Sequence, residues 1–213
     1  MLHFLAAADL HGCPDNLWSA LNAHPETDCV LLAGDYEFPY ELLRAICGNV
    51  PFYAIRGNND PRDPAFPDEL ILDLLPGEDG PEALPSRIRA FAPKEEETPV
   101  RDPDVLARLL ITHGHYYILP DQESVFSGMN GVKFGRRSVT STFSDRAKAA
   151  GADLAVFAHT HNYYLGRPEA SGCFLLNPGT LSGYPGAHPE VCSYAMIEIS
   201  PEGLRIERRQ LPD

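Results

Sequence analysis

The chain has 213 residues, a formal charge of −13, 44% hydrophobic residues and five cysteines. No apolar run approaches the roughly 20 residues needed to cross a bilayer, and an odd cysteine count without CxxC spacing argues against a disulfide framework and for a reducing cytoplasm. The acidic balance, concentrated in Asp68-Glu69, Glu95-Glu96-Glu97 and Asp102-Pro103-Asp104, argues against the basic stripe of a nucleic-acid binder and for a field that repels long polyanions.

The N-terminus lacks a basic region, and its apolar stretch Leu5-Ala6-Ala7-Ala8 breaks at Asp9-Leu10-His11. It reads as a strand rather than a signal peptide. Cys13, two residues beyond His11, reads as a partly buried thiol. Asp15 is expected to cap a helix with Leu17, Trp18 and Leu21 on its apolar face and Pro25 beyond its end. Cys29-Val30-Leu31-Leu32-Ala33 then forms a continuous apolar run, the pattern of a strand covered on both faces. It stops at Gly34-Asp35, where the glycine lets the chain turn and present the carboxylate at the sheet edge. Pro39 opens a second helix with Leu42, Leu43 and Ile46 on one stripe, ending before Gly48. The strand Phe52-Tyr53-Ala54-Ile55 leads to Arg56-Gly57-Asn58-Asn59-Asp60. This β-α-β-α-β order predicts right-handed crossovers and a largely parallel sheet.

From 61 to 103 the chain is rich in proline and acids and reads as a partly ordered surface excursion. Only Glu69 to Leu75 and Ser86 to Ala92 suit short regular elements there. Leu109-Leu110-Ile111-Thr112 then delivers His113-Gly114-His115. A second excursion, 116 to 139, contains Arg136-Arg137 and reads as a hairpin with a basic tip. Thr142 to Ala150 is a helix capped by Gly151, and Leu154-Ala155-Val156-Phe157-Ala158 leads to His159-Thr160-His161. Strands alone follow: Tyr163 to Leu165 with Cys173 to Leu176, and Tyr194 to Ile199 with Leu204 to Leu211. The expected fold is α/β, a four-layer α-β-β-α sandwich of two mixed sheets with helices outside, in one domain spanning 1–213.

Five apolar strands, each followed closely by Asp, Asn or His, converge on one edge of a core. Such an edge suits a polynuclear metal site. Two cations about 3.5–4 Å apart need a bridging carboxylate with oxygen and imidazole donors on both sides, and activate a water for in-line attack on phosphorus. Asp35 suits the bridge. The donor types favour Mn²⁺, with Ni²⁺, Fe²⁺ or Zn²⁺ as alternatives, over Mg²⁺.

Taken in order, Asp9-Leu10-His11-Gly12, Gly34-Asp35, Gly57-Asn58-Asn59-Asp60, Thr112-His113-Gly114-His115, Ala158-His159-Thr160-His161 and Asn177-Pro178-Gly179-Thr180 resemble the calcineurin-like metallophosphoesterase superfamily, and within it the small YfcE-type phosphodiesterases. The resemblance implies that Asp9, His11 and His161 hold one metal, that Asn58, His113 and His159 hold the other, and that Asp35 bridges them. It departs at Asn59, where most of the superfamily has a histidine that protonates the leaving group, and at Ala158, where the usual residue is glycine. An amide is no general acid, so leaving groups that need no proton are expected, with His115 as a substitute acid. The implied activity is hydrolysis of a small phosphodiester. The alternatives are a phosphomonoesterase or nucleotidase, or a non-catalytic protein-binding scaffold like the retromer subunit of this fold. The expected partner is a small phosphorylated substrate rather than nucleic acid or membrane, with homo-oligomerisation open.

Overall fold

The computed structural model describes residues 1–77, 85–93, 99–117, 119–120, 132–134, 137–139, 142–169, 171–182 and 192–211. Thirteen strands and three helices follow in the order β1 (Leu2–Ala7), α1 (Pro14–Ala23), β2 (Cys29–Leu32), α2 (Tyr40–Cys47), β3 (Phe52–Ala54), β4 (Glu69–Pro76), β5 (Pro85–Phe91), β6 (Ala107–Thr112), β7 (Val132–Phe134), β8 (Arg137–Val139), α3 (Phe143–Ala150), β9 (Leu154–Val156), β10 (Tyr164–Gly166), β11 (Phe174–Asn177), β12 (Ser193–Ser200) and β13 (Gly203–Gln210) among the described residues. One sheet has the order β13-β12-β1-β2-β3 and the other β10-β11-β9-β6-β4-β5. In the first, β1, β2 and β3 run parallel, β12 pairs antiparallel with β1, and β13 pairs antiparallel with β12 and so runs with β1. In the second, β6, β9 and β11 are parallel, β10 pairs antiparallel with β11, β4 antiparallel with β6, and β5 antiparallel with β4 and so runs with β6. Both sheets are therefore mixed, as expected.

The continuous apolar runs have a direct cause, because successive side chains of a strand point to opposite faces. Phe4, Ala6 and Ala8, with Cys29, Leu31 and Ala33, face the other sheet and meet Leu70, Leu72, Leu109, Ile111, Leu154 and Val156. The alternate residues Leu5, Ala7, Val30 and Leu32 face outward onto Leu17 and Ala20 of α1 and Leu43 and Cys47 of α2. On the far side Ile71, Leu110 and Ala155 pack against Phe143, Ala147 and Ala150 of α3. Three apolar cores between four layers result, and the central strands are covered twice. No helix among the described residues is long and apolar enough to cross a membrane.

Three expectations need correction. Trp18 is 58% exposed and Leu42 is 38% exposed, because each lies about 100° round its helix from the residue that is buried, Leu17 and Leu43. Asp15 does not cap α1; Cys13 holds that position without a side-chain bond, and Asp15 sits in the first turn. The segment 61 to 103 is no simple surface excursion either. Its residues Glu69–Pro76 form β4, paired on both sides and contributing Leu70, Ile71, Leu72 and Leu74 to the interior. The hairpin expected between 116 and 139 exists as β7 and β8, while the basic tip at Arg136 lies outside the described residues, as does Glu95-Glu96-Glu97.

Part of the acidic content is spent internally. Asp73, fully buried on β4, accepts from Arg108 Nε at 2.6 Å and Nη2 at 2.9 Å, and Arg108 is itself 1% exposed on β6. Arg89 of β5 reaches the same carboxylate at 3.1 Å. Arg108 Nη1 donates to the carbonyls of Pro99 and Ala150 at 2.8 and 3.2 Å, so four of its five N–H groups are hydrogen-bonded. Removing one partner of a buried pair strands the other charge, at a cost of about 3–5 kcal/mol. Asp73→Ala is thus expected to lower unfolding free energy by roughly that amount in a urea titration, and a loss below about 1 kcal/mol would show that Arg108 finds other partners or water. Burial raises the Asp73 pKa, but the hydrogen bonds from Arg108 and Arg89 prevail and the net shift is downward. The stability it supplies is therefore complete above the ordinary carboxylate range and is lost as pH falls through the lower folded value.

Candidate metal centre

The carboxyl ends of β1, β2, β3, β6 and β9 meet at one edge of the sandwich. Their loops are laced together: Asp9 N–H donates to Gly34 O at 3.0 Å, His11 N–H to Asp35 O at 3.0 Å, Gly12 N–H to Tyr36 O at 2.9 Å and Ala158 N–H to His113 O at 3.1 Å. Among the described residues, six non-glycine residues have positive φ: Asp9 (51°), His11 (41°), Asp35 (55°), Glu37 (61°), His159 (74°) and His161 (61°). All six lie in these loops. Such backbone persists only where the surroundings over-determine it, and it gathers at functional sites.

One carboxylate supplies much of that determination. Asp60, 5% exposed, accepts the backbone N–H groups of Asp35 (2.7 Å), Tyr36 (2.8 Å), Glu37 (2.9 Å) and Gly57 (2.9 Å). It straps the loop after β2 to the loop after β3. Beneath it the buried Tyr36 hydroxyl accepts from Gly34 N–H at 2.9 Å and lies 2.6 Å from Leu32 O and 2.7 Å from Ile55 O. Two glycines are dictated by the close approach. A Cβ on Gly57 would lie 2.0 Å from Asp35 Oδ1, and one on Gly34 would lie 2.6 Å from Gly57 N and 2.9 Å from His113 Nδ1.

The side chains form two overlapping groups of potential ligands, Asp9 with His11 and His161, and Asp9 with Asp35 and His113. Asp9 is wholly buried, and its Oδ2 accepts from His159 N–H at 3.2 Å. Its Oδ1 has no hydrogen bond. That oxygen is ringed by His161 Nε2 at 3.5 Å, His11 Nε2 at 3.9 Å and His113 Nε2 at 4.0 Å. These spacings are long for hydrogen bonds but suit donors placed about 2.1 Å from a shared cation. Burial, reinforced by the Asp35 charge, raises the Asp9 pKa to about 7 against the pull of His113 and His11. A buried anionic oxygen without a donor is what a bound cation would satisfy, so the residues fit divalent metals.

The second group is held from behind. His113 is buried, with Nδ1 2.8 Å from Ala33 O; the carbonyl can only accept, so Nδ1 carries the hydrogen and Nε2 faces Asn58 Oδ1 at 3.0 Å and Asp35 Oδ2 at 3.3 Å. Burial would lower the His113 pKa, yet Asp35 and Asp9 raise it overall. Asp35 answers in kind: burial pushes its pKa up, but His113 and the Asn59 N–H hold it down at about 2. The His159 ring stands 5.2 Å from that of His113, and burial with the His113 charge lowers its pKa to about 4. The structure brings Asp9, His11, Asp35, His113 and His161 into the two groups, with Asp9 common to both, and sets Asn58 and the His159 ring beside His113.

Two roles differ from expectation. Asn59 gives its backbone N–H to Asp35 Oδ1 at 2.8 Å and its side-chain amide to Oδ2 at 3.0 Å, clamping both oxygens. It orients Asp35. His115, 9% exposed and set at a tilt against Tyr116 with 3.8 Å between ring centres, has its pKa pushed down to about 3 by burial and by His113. A ring held neutral in that way is a poor substitute acid. Sequence reasoning quoted Asp60 without a task for it and passed over Glu37, whose Oε1 lies 2.8 Å from His11 Nδ1. An acid directly following two amides was the one available signal for Asp60; nothing marked Glu37. Near the site, Asn177 bonds Ala158 O at 3.3 Å and Thr160 Oγ1 at 3.0 Å, and Thr180 Oγ1 donates to Asp9 O at 2.8 Å, so the Asn177-Pro178-Gly179-Thr180 turn braces two ligand loops.

A family model for the calcineurin-like phosphoesterase superfamily domain matches residues 2–202. No curated protein sequence matches. The chain is similar to a predicted phosphoesterase from Streptococcus pneumoniae at TM-score 0.58 and 16% identity, covering 98% of this chain and 98% of the other. It is similar to an archaeal phosphodiesterase at TM-score 0.57 and 15% identity, covering 98% of this chain and 100% of the other. It is also similar to wild-type Vps29 complexed with Zn²⁺ from Entamoeba histolytica at TM-score 0.56 and 15% identity, covering 99% of this chain and 100% of the other. At such identities these structures bear on the fold.

Cation binding is expected to appear as stabilisation. Free Mn²⁺ at 100 times its dissociation constant should add about 2.7 kcal/mol. Asp9→Asn, which removes a buried unpaired charge, should unfold no earlier than the wild type without metal yet lose the Mn²⁺-dependent gain. Thermal melts of both proteins with and without Mn²⁺ check this, and an equal metal-induced shift in the variant would remove Asp9 from the ligand set.

Proposed function

The chain belongs to the calcineurin-like phosphoesterase superfamily, and from that premise we propose that it is a metal-dependent phosphodiesterase acting on a small phosphodiester. The observation that carries this reading is the unsatisfied Asp9 Oδ1 ringed by three imidazole nitrogens beside a second carboxylate, Asp35. Asp9, His11 and His161 would hold one cation, Asn58, His113 and His159 the other, with Asp35 between them. Bound there, two divalent cations supply Lewis acidity toward the phosphoryl oxygens and a nucleophile at neutral pH. Mn²⁺ suits a donor set that mixes carboxylates, an amide oxygen and imidazoles, with Ni²⁺, Fe²⁺ and Zn²⁺ as the alternatives.

The chain's own residues do the rest by position. Asn59 fixes both Asp35 oxygens, and Asp60 fixes the backbone that carries Asp35, so the carboxylate does not reorganise when charge develops at phosphorus. Asn59 has no proton to give to a departing oxygen. Esters whose leaving group is stable as an anion, such as aryl oxides, fit that site. The net charge of −13 disfavours long polyanions as substrates. An odd number of cysteines, five, without CxxC spacing supports a cytoplasmic setting.

Two measurements test the reading. Asn59→Ala should lower kcat/KM by about 10–100-fold, the usual effect of losing a group that orients a ligand. Asp35→Asn should cost clearly more, with bound metal lost as well, and equal losses would mean that Asn59 has a further task. Rates with Mn²⁺ on a bis-aryl phosphate, an aryl monophosphate and plasmid DNA should rank in that order. A faster monoester would favour a phosphomonoesterase or nucleotidase, and hydrolysis of none would favour the non-catalytic scaffold.

A further inference from the structure

Glu37 stands two residues beyond Asp35 on the outer rim of the site, and three observations single it out. Its Oε1 lies 2.8 Å from His11 Nδ1. Its backbone takes φ of 61°, a conformation that glutamate, unlike glycine or asparagine, rarely adopts. Its own N–H is held at 2.9 Å by Asp60. The strain is thus imposed by a carboxylate that also fixes Asp35, and its result is a glutamate aimed back across the site at a histidine from another strand.

The chemistry of that contact is one-sided. A carboxylate accepts, so His11 Nδ1 carries the hydrogen and His11 Nε2 is left with its lone pair. That atom faces His161 Nε2 at 3.1 Å and Asp9 Oδ1 at 3.9 Å. An unconstrained neutral imidazole favours hydrogen on Nε2, the wrong form for ligation through that nitrogen. Buried carbonyl Ala33 O does for His113 what Glu37 does for His11. The difference is that Glu37 brings a full negative charge and is partly open to solvent, its side chain 41% exposed against 6% for His11.

We propose that Glu37 is a positioning residue that selects the Nδ1–H form of His11 and raises the affinity of the cation held by Asp9, His11 and His161. This rests on the reading of those three residues as ligands. The strained turn is the means: Asp60 holds the N–H of residue 37 in a turn of positive φ, and from that turn Glu37 delivers the hydrogen bond to His11.

The test is Mn²⁺ titration calorimetry on the full chain, with nitrogen-detected NMR of the His11 ring in the metal-free protein as an independent readout. Glu37→Ala should weaken one of two binding steps by about 10–100-fold and shift the His11 ring toward the Nε2–H form. Glu37→Gln, whose amide oxygen also accepts from Nδ1–H, should restore most of both. Glu37→Gly relieves the positive φ, so it should melt no lower than the wild type without metal yet lose affinity as the alanine variant does. A merely structural role predicts the reverse for glycine, an unperturbed ring and unchanged affinity. Wild-type protein that binds two Mn²⁺ ions no better than Glu37→Ala overturns the positioning role alone. Wild-type protein that binds no Mn²⁺ overturns the ligand assignment and this role with it.

Discussion

The buried carboxylate of Asp60 receives four backbone N–H groups from two loops that belong to different strands, and the metal centre is laid out around it. Without that acceptor, four donors in a dry corner would each lose a hydrogen bond made to water in the unfolded chain, at about 1–3 kcal/mol apiece. With it, the turn 35 to 37 is locked into two positive φ values, at Asp35 and Glu37. The direction of both carboxylates then follows from the backbone. Asp60 bonds to backbone N–H groups, yet the geometry of the Asp35 and Glu37 side chains and, through Glu37, of His11 descends from its position.

The same corner shows how environment divides like groups. Asp9 and Asp35 are both buried carboxylates at strand ends, yet the pKa of one rises to about 7 while that of the other falls to about 2. Burial works upward on both. Asp35 escapes because Asn59 donates to both its oxygens and the His113 ring lies 3.3 Å from it, whereas Asp9 Oδ1 has no donor. Asp9 is therefore the group that gains most from a cation. In the scaffold, by contrast, the Asp73 carboxylate is paired with Arg108 and the Glu69 carboxylate with Arg146. The contrast between satisfied charge in the scaffold and unsatisfied charge at one edge is what distinguishes a site from a structural ion pair.

The ligand loops were legible in the sequence because each follows an apolar run that stops abruptly at a polar residue, and because strands buried on both faces carry no polar interruption until their ends. The four-layer arrangement followed from the change between alternating helices and strands and strands alone. β4 was harder, since Asp73 interrupts its apolar positions and prolines flank it, features that suit a surface. Its partner Arg108 is 35 positions away, and pairing at that distance leaves no local trace. Trp18 and Leu42 were placed inward by their apolar character, while the true buried stripes run through smaller neighbours, Ala20 and Cys47. Glu37 was invisible for a related reason: its significance lies in a backbone angle and in a histidine 26 positions earlier, neither of which composition or period records.

Asn59 joins the two halves of the argument. An imidazole at that position could carry a proton to a leaving group, whereas the Asn59 side chain donates to the second oxygen of Asp35 while its backbone N–H meets the first. The amide does both in one residue. It exchanges proton transfer for a firmly held carboxylate, and a site of that kind stabilises charge by preorganised position rather than by supplying a proton. On the proposed phosphodiesterase reading, the leaving group of the ester would then accept the electron pair unaided. The residue that departs from the superfamily pattern therefore both completes the support of Asp35 and narrows the chemistry that the site can serve.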